Sequence, residues 1–230
     1  GSILLAFSAA KLYQSAGVTV LGLALLLNFL LNLLYRVLVE RATTLFQALQ
    51  AQQCSIYEPY FWFHERYWKL SVRAAHLALF NGTPLKSLAW RLMGVKIGKR
   101  VFDDGCAISD RPLVSIGDGC TLNAGSIIQS HSQEDGGFKS DHITIGAGCT
   151  LGVSALVHYG VVMGDGAQVA SGSFVMKGEE VPSQTWWGDN PAMEVQENFS
   201  GGAEMTAVKQ PGLGDKPDSK NYKIPVKQAV

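Results

Sequence analysis

From Ile116 to Val181 an aliphatic residue recurs every six positions, often followed by Gly or Asn, with a small side chain four places on. The aliphatic beat runs through Ile116, Leu122 and Ile128, then Ile145, Leu151, Val157, Met163, Val169, Val175 and Val181. Its small partners are Cys120, Ser126, Ser132, Cys149, Ala155, Val161, Ala167 and Ser173. Three such phrases make one triangular turn of a parallel β-helix, so that residues eighteen apart stack in columns and share a core that no single repeat could bury alone. The expected fold is therefore mainly β, with the β-helix occupying residues 95–195 and opening at Val95-Lys96-Ile97-Gly98.

A second apolar pattern lies upstream. No charged residue occurs between Leu12 and Tyr35, and the stretch from Val18 to Leu34 is long enough at helical rise to cross a bilayer. We read residues 17–39 as a transmembrane helix, preceded by a segment 1–16. A secretory signal would have a shorter apolar region followed by a small-residue cleavage site, whereas this run continues into Tyr35-Arg36-Val37-Leu38. Gly1-Ser2 reads as the edge of a fragment. Only Lys11 precedes the span, while Arg36, Arg41, Arg66, Lys69 and Arg73 follow it, which puts the β-helix on the cytoplasmic side of a cell membrane. Asn28 and Asn32 share one helix face and are expected to meet other helices.

Residues 40–94 form a mostly helical, aromatic connector. In Tyr57 to Lys69, rings alternate with charged groups, and two readings stand side by side. One is a segment at the headgroup level with Arg66, Lys69 and Arg73 toward phosphates; the other is a helix packed on the β-helix. His64 and His76 read as structural histidines, since no pattern positions them. After the turn Asn81-Gly82-Thr83-Pro84, a short helix from Leu85 to Met93 should end at Gly94. Residues 196–230, rich in Gly, Pro and Lys, read as a flexible tail.

Composition narrows the function. Of 230 residues, 47% are hydrophobic and 17% charged, with zero formal net charge, so no nucleic-acid partner is expected. Cys120 and Cys149 fall in the inward small-residue slot, where a thiol acts as a compact apolar group; Cys54 and Cys106 lack metal-site spacing.

With its closing Trp187-Gly188-Asp189-Asn190-Pro191-Ala192, the repeat resembles the left-handed β-helix hexapeptide acyltransferase superfamily. More narrowly, the upstream span, HERYWKL, FNGTPLKSLAWRLMGVKIG, VFDDG and HSQEDGGFKSD are similar to the C-terminal domains of ε-poly-L-lysine synthetase-type nonribosomal peptide synthetases, up to about Glu194. That resemblance implies soluble domains alternating with membrane helices, downstream of adenylation and thiolation carrier domains, that join amino acids into an isopeptide polymer. It implies a phosphopantetheine-linked thioester, or acetyl-CoA, as donor substrate, an amine such as lysine as acceptor, and sibling β-helix domains as partners in a pseudo-trimer or homotrimer. An acetyl-CoA-dependent acetyltransferase and a non-catalytic scaffold are the alternatives.

Acyl transfer to an amine needs a base, oxyanion donors and a channel for the thioester arm. The beat fails after Ile128 and resumes at Ile145, so about eleven residues are inserted there, in a place where loops leave a rigid solenoid. His131, at the root of this insertion, is the leading general base, which the superfamily resemblance also implies, and Glu134 or Asp135 lies near enough in sequence to orient its imidazole. Counting through the insertion stacks Gln129, His158 and Met176, which puts His158 on the order of 8 Å from His131 as a second candidate. His131, His142 and His158 have no diagnostic metal spacing, and no metal is expected. Asn123 suits either a carbonyl substrate or neighbouring backbone. Asp103, Asp104, Asp110, Glu134, Asp135 and Asp141 give this side an acidic bias suited to a cationic acceptor. Trp186 and Trp187 would line a pantetheine channel or lock the end of the coil.

Overall fold

A computed structural model describes residues 2–44, 46, 49–70 and 74–195 of the chain. Arg73, the tail 196–230 and the side chain of His76 lie outside the described residues. Three parallel sheets form the sides of a triangular coil. One sheet stacks Ile97, Ile116, Ile145, Met163 and Val181 in register. The second stacks Asp103, Leu122, Leu151, Val169 and Trp187, and the third stacks Ile108, Ile128, Val157 and Val175. The six-residue beat thus becomes three columns. Leu122, Ile128, Leu151, Val157 and Val175 are fully buried, and each such side chain contributes about 1.5–3 kcal/mol relative to exposure. The small-residue slot also points inward: Cys120, Ser126, Cys149, Ala155, Val161, Ala167 and Ser173 are all buried. Coils approach so closely at the corners that a Cβ on Gly117 would meet the Ala147 nitrogen at 2.6 Å.

Asp103 breaks the aliphatic column in the first coil because a cap covers it. Helix α4, counted after α1 (Ser2–Ala16), α2 (Val18–Thr43) and α3 (Pro59–Leu70), spans Pro84–Met93 and ends on left-handed Gly94. It lays fully buried Trp90 over the coil, and the indole Nε1–H donates to Asp103 Oδ2 at 2.6 Å. Asp103 Oδ1 accepts from the backbone of Gly105 and Cys106, so the buried carboxylate is satisfied on both oxygens.

Among the described residues, α2 is the one helix long and apolar enough to cross a membrane. Its last turns leave that role: Leu33 and Val37 pack on the core, and Glu40 and Thr43 are buried against the rest of the chain. The Asn32 amide donates to the Asn28 carbonyl at 2.7 Å and to the Asn28 side chain at 3.1 Å, so one helical turn satisfies it locally. The connector is a packed helix rather than a purely interfacial segment. α3 buries Phe61, His64 and Tyr67 and leaves Trp62, Arg66 and Lys69 exposed.

The insertion after Ile128 is not an extruded loop. His131–Glu134 and Gly137–Ser140 form an antiparallel hairpin, and the connector strand Gln52–Ser55 pairs with its outer edge. Asp135 and Gly136 both have positive φ, 51° and 71°, which is the geometry of a two-residue hairpin turn. Phe138, fully buried, pins the hairpin beneath Phe61, His64 and Trp68.

Candidate active site

The corner between the third and first sheets carries the densest polar chemistry. The strand Ile127–Gln129 delivers His131 to the foot of the hairpin, and one coil below, the strand Ala107–Ile108 delivers Asp110. Asp110 sits in the left-handed region at φ 34°, a conformation that Asp tolerates, and opens the short turn Arg111–Leu113. Adjacent coils lock the two together: Ser109 N donates to Ile128 O at 3.0 Å, and Ser130 N donates to Ser109 Oγ at 3.2 Å.

His131 Nδ1–H donates to Asp110 Oδ2, which also accepts from Ser109 Oγ at 2.8 Å. Asp110 Oδ1 accepts from His64 Nε2–H and Trp68 Nε1–H, each at 2.7 Å. The Asp110 side chain is fully buried, and burial opposes its charge; the hydrogen bonds from His131 and then His64 outweigh that and hold the carboxyl well below the usual carboxylate range. Trp68 lies against the His131 ring at 4.2 Å between centroids, while His131 keeps 20% of its side chain exposed. A buried carboxylate on Nδ1 of a partly exposed imidazole is a constellation able to accept a proton at Nε2 and stabilise the resulting imidazolium.

The carboxylate that meets His131 is therefore Asp110, not Glu134 or Asp135. Glu134 lies on the hairpin strand facing outward and pairs with Lys177, and Asp135 is spent on the turn. His158 does stack on Gln129, one coil away, and the Gln129 amide donates to the His131 carbonyl at 3.1 Å. The ring of His158 lies against Tyr159 and Phe174, and burial lowers its basicity, partly offset by the Glu134 charge, with smaller lowering contributions from His131 and Lys177.

The remaining candidates do not converge here. Asn123 turns the corner between the second and third sheets and donates to Leu151 O at 2.8 Å, the backbone-bonding alternative. Asp104 is exposed beside the second sheet, and Asp141 is exposed at the hairpin foot, where it accepts from His142 N at 2.7 Å. Trp187 closes the end of the second sheet with its indole on Thr185 Oγ1 at 3.1 Å and packs on the core, as the end-locking alternative has it. Sequence reasoning missed Asp110, Ser109, His64 and Trp68. Asp110 entered only through the acidic bias, His64 only as a structural histidine and Trp68 only in the aromatic connector; carrying the column from Ile128 down one coil to Ile108 places Asp110 below His131.

The family described as hexapeptide repeat of succinyl-transferase matches residues 114–130 and 142–177, and the match breaks over the hairpin. A delta-poly-L-ornithine synthetase of Acinetobacter baumannii (strain AB307-0294) is 32% identical over 117 residues, which is 51% of this chain and 9% of that protein. The chain thus spans under one-tenth of that relative's length. Among solved structures, a hexapeptide-repeat acetyltransferase from Vibrio cholerae is 19% identical with a TM-score of 0.45, covering 54% of this chain and 87% of its own. A truncated serine acetyltransferase apoenzyme is 19% identical with a TM-score of 0.39, covering 59% of this chain and 55% of its own. The repeat match and the synthetase relative support an acyltransferase of the hexapeptide-repeat kind.

Proposed function

We propose that this chain transfers an acyl or aminoacyl group from a thioester to an amine such as lysine, as one module of a membrane-bound amino-acid polymer synthetase. The observation that carries the reading is His131 held at Nδ1 by buried Asp110, with 20% of its side chain exposed. The amine nitrogen attacks the thioester carbonyl, and His131 Nε2 takes the proton that nitrogen must lose. Asp110 stabilises the imidazolium, which returns the proton to the departing thiolate as the amide bond forms. The relative's name, a poly-L-ornithine synthetase, denotes a polymer of a basic amino acid, in keeping with an amine-bearing acceptor. In this reading α2 tethers the β-helix of residues 95–195 to the cytoplasmic face of a membrane, and carrier and sibling β-helix domains supply the donor and neighbouring surfaces.

The test is to incubate the membrane-reconstituted chain, alone and with its neighbouring domains, with aminoacyl-pantetheine or acetyl-CoA and free lysine. Amide product that disappears in His131→Ala supports the reading, and the preferred donor identifies the thioester. Product unaffected by His131→Ala removes the base assignment. A chain that assembles with its neighbours and makes no product is a scaffold.

A further inference from the structure

We infer that His64, from the connector helix, is a positioning residue that holds Asp110 in the geometry His131 requires; this deepens the acyl-transfer reading and rests on it. The β-helix itself places donors on only one carboxylate oxygen, through His131 and Ser109 on Oδ2. A carboxylate tethered on one oxygen is free to swing about its own bond. Both donors to Oδ1, His64 Nε2–H and Trp68 Nε1–H, come from α3, four residues apart and so on one helix face. They fix the plane of the carboxylate and thereby the direction in which Oδ2 meets His131.

The choice of a histidine has its own physical consequence. His64 is fully buried, and its Nδ1 has no hydrogen-bond partner among the described residues. A second N–H there would be a buried, unsatisfied donor, so the Nε2–H tautomer is favoured. With Nε2–H donating to Oδ1, His64 holds Asp110 while Oδ2 is left to His131 and Ser109. Phe138, 4.7 Å from the His64 ring, and Tyr67, 6.1 Å away, hold the ring in place.

The experiment is nitrogen-15 NMR of histidine-labelled full-length chain in detergent micelles, comparing wild type, His64→Phe and His64→Gln, with kcat and KM measured on the same samples. Wild type should show His131 in the Nδ1–H tautomer with a far-downfield Nδ1 proton. His64→Phe should lose that resonance and lower kcat about ten- to hundredfold at unchanged KM. His64→Gln, which keeps an N–H donor, should restore both. An unchanged His131 signal and kcat in folded His64→Phe, or a Gln variant no better than Phe, overturns the inference. Should His64→Phe not fold, His64→Leu and His64→Met remove the same Nε2–H donor with other side-chain shapes, and an unaltered His131 signal and kcat in a folded one of these overturns the inference equally. Activity that survives His131→Ala while His64→Phe still shifts the His131 tautomer defeats the acyl-transfer role of His131 and leaves the positioning intact.

Discussion

Glu40, near the end of the apolar helix, and Arg111, one residue past the aspartate that meets His131, form a buried ion pair at 2% and 7% side-chain exposure. Tyr67 of α3 donates its hydroxyl to the same Glu40 oxygen at 3.0 Å, and burial, then the Glu40 charge, pushes that phenol well above its ordinary range. The candidate membrane helix, the connector and the first coil therefore meet at one electrostatic junction. Removing one partner leaves the other charge buried. Glu40→Gln or Arg111→Met alone should destabilise the chain by about 3–5 kcal/mol, and the double variant should recover much of that loss. Chemical denaturation in detergent, run as a double-mutant cycle, checks it.

The depressed Asp110 carboxyl makes stability acid-sensitive. Its ordinary unfolded-state value is near 4, and the folded value is lower, so the contribution is fully present above about pH 4 and is lost as pH falls through the folded value. Thermal melts of wild type should therefore fall steeply in acid, whereas Asp110→Asn should be less stable at neutral pH and show a flatter acid limb. Equal acid slopes for the two proteins would contradict the assignment.

Acyl transfer should respond differently to the candidates of this corner. His131→Ala should lower kcat by about 10²–10⁴-fold, the usual range for a general base. Glu134→Gln, which breaks an exposed pair with Lys177 and removes a charge near His158 but leaves the Asp110–His131 contact intact, should lower kcat far less than His131→Ala. Steady-state rates across pH for both variants decide between Asp110 and Glu134 as the partner of His131.

The inward slot can be tested by volume. Cys149 donates to Gly164 O at 3.1 Å inside the coil and is 1% exposed. Cys149→Ala, matching Ala155 and Ala167 in the same slot, should cost about 1 kcal/mol, and Cys149→Leu should cost more, about 1–3 kcal/mol, by overpacking. Denaturant midpoints of the two variants give the ordering.

The columns were legible in the chain because a six-residue beat has one geometric solution, and Ile145, Met163 and Val181 stack where counting put them. The α4 helix was equally plain, with Pro at its start and Gly94 at its end. His131 was found as a break in the rhythm, and His158 stacks on Gln129 as the count predicts. The partners of His131 were not legible. Asp110 lies 21 residues away, in a first coil whose column is interrupted by Asp103, and His64 sits in a helix with no repeat to count along.

The sequence by itself determined the β-helix, its inward slots, the apolar helix and the position of the insertion, because each follows from periodic burial along neighbouring residues. Only the tertiary structure decided which carboxylate faces His131. The same is true of the folding of the insertion into a hairpin under α3, and of the buried contact between the apolar helix and the first coil. Those relationships depend on desolvated hydrogen bonds between distant segments, and a buried carboxylate selects its partners by the donors that packing brings to it, not by the residues beside it in the chain.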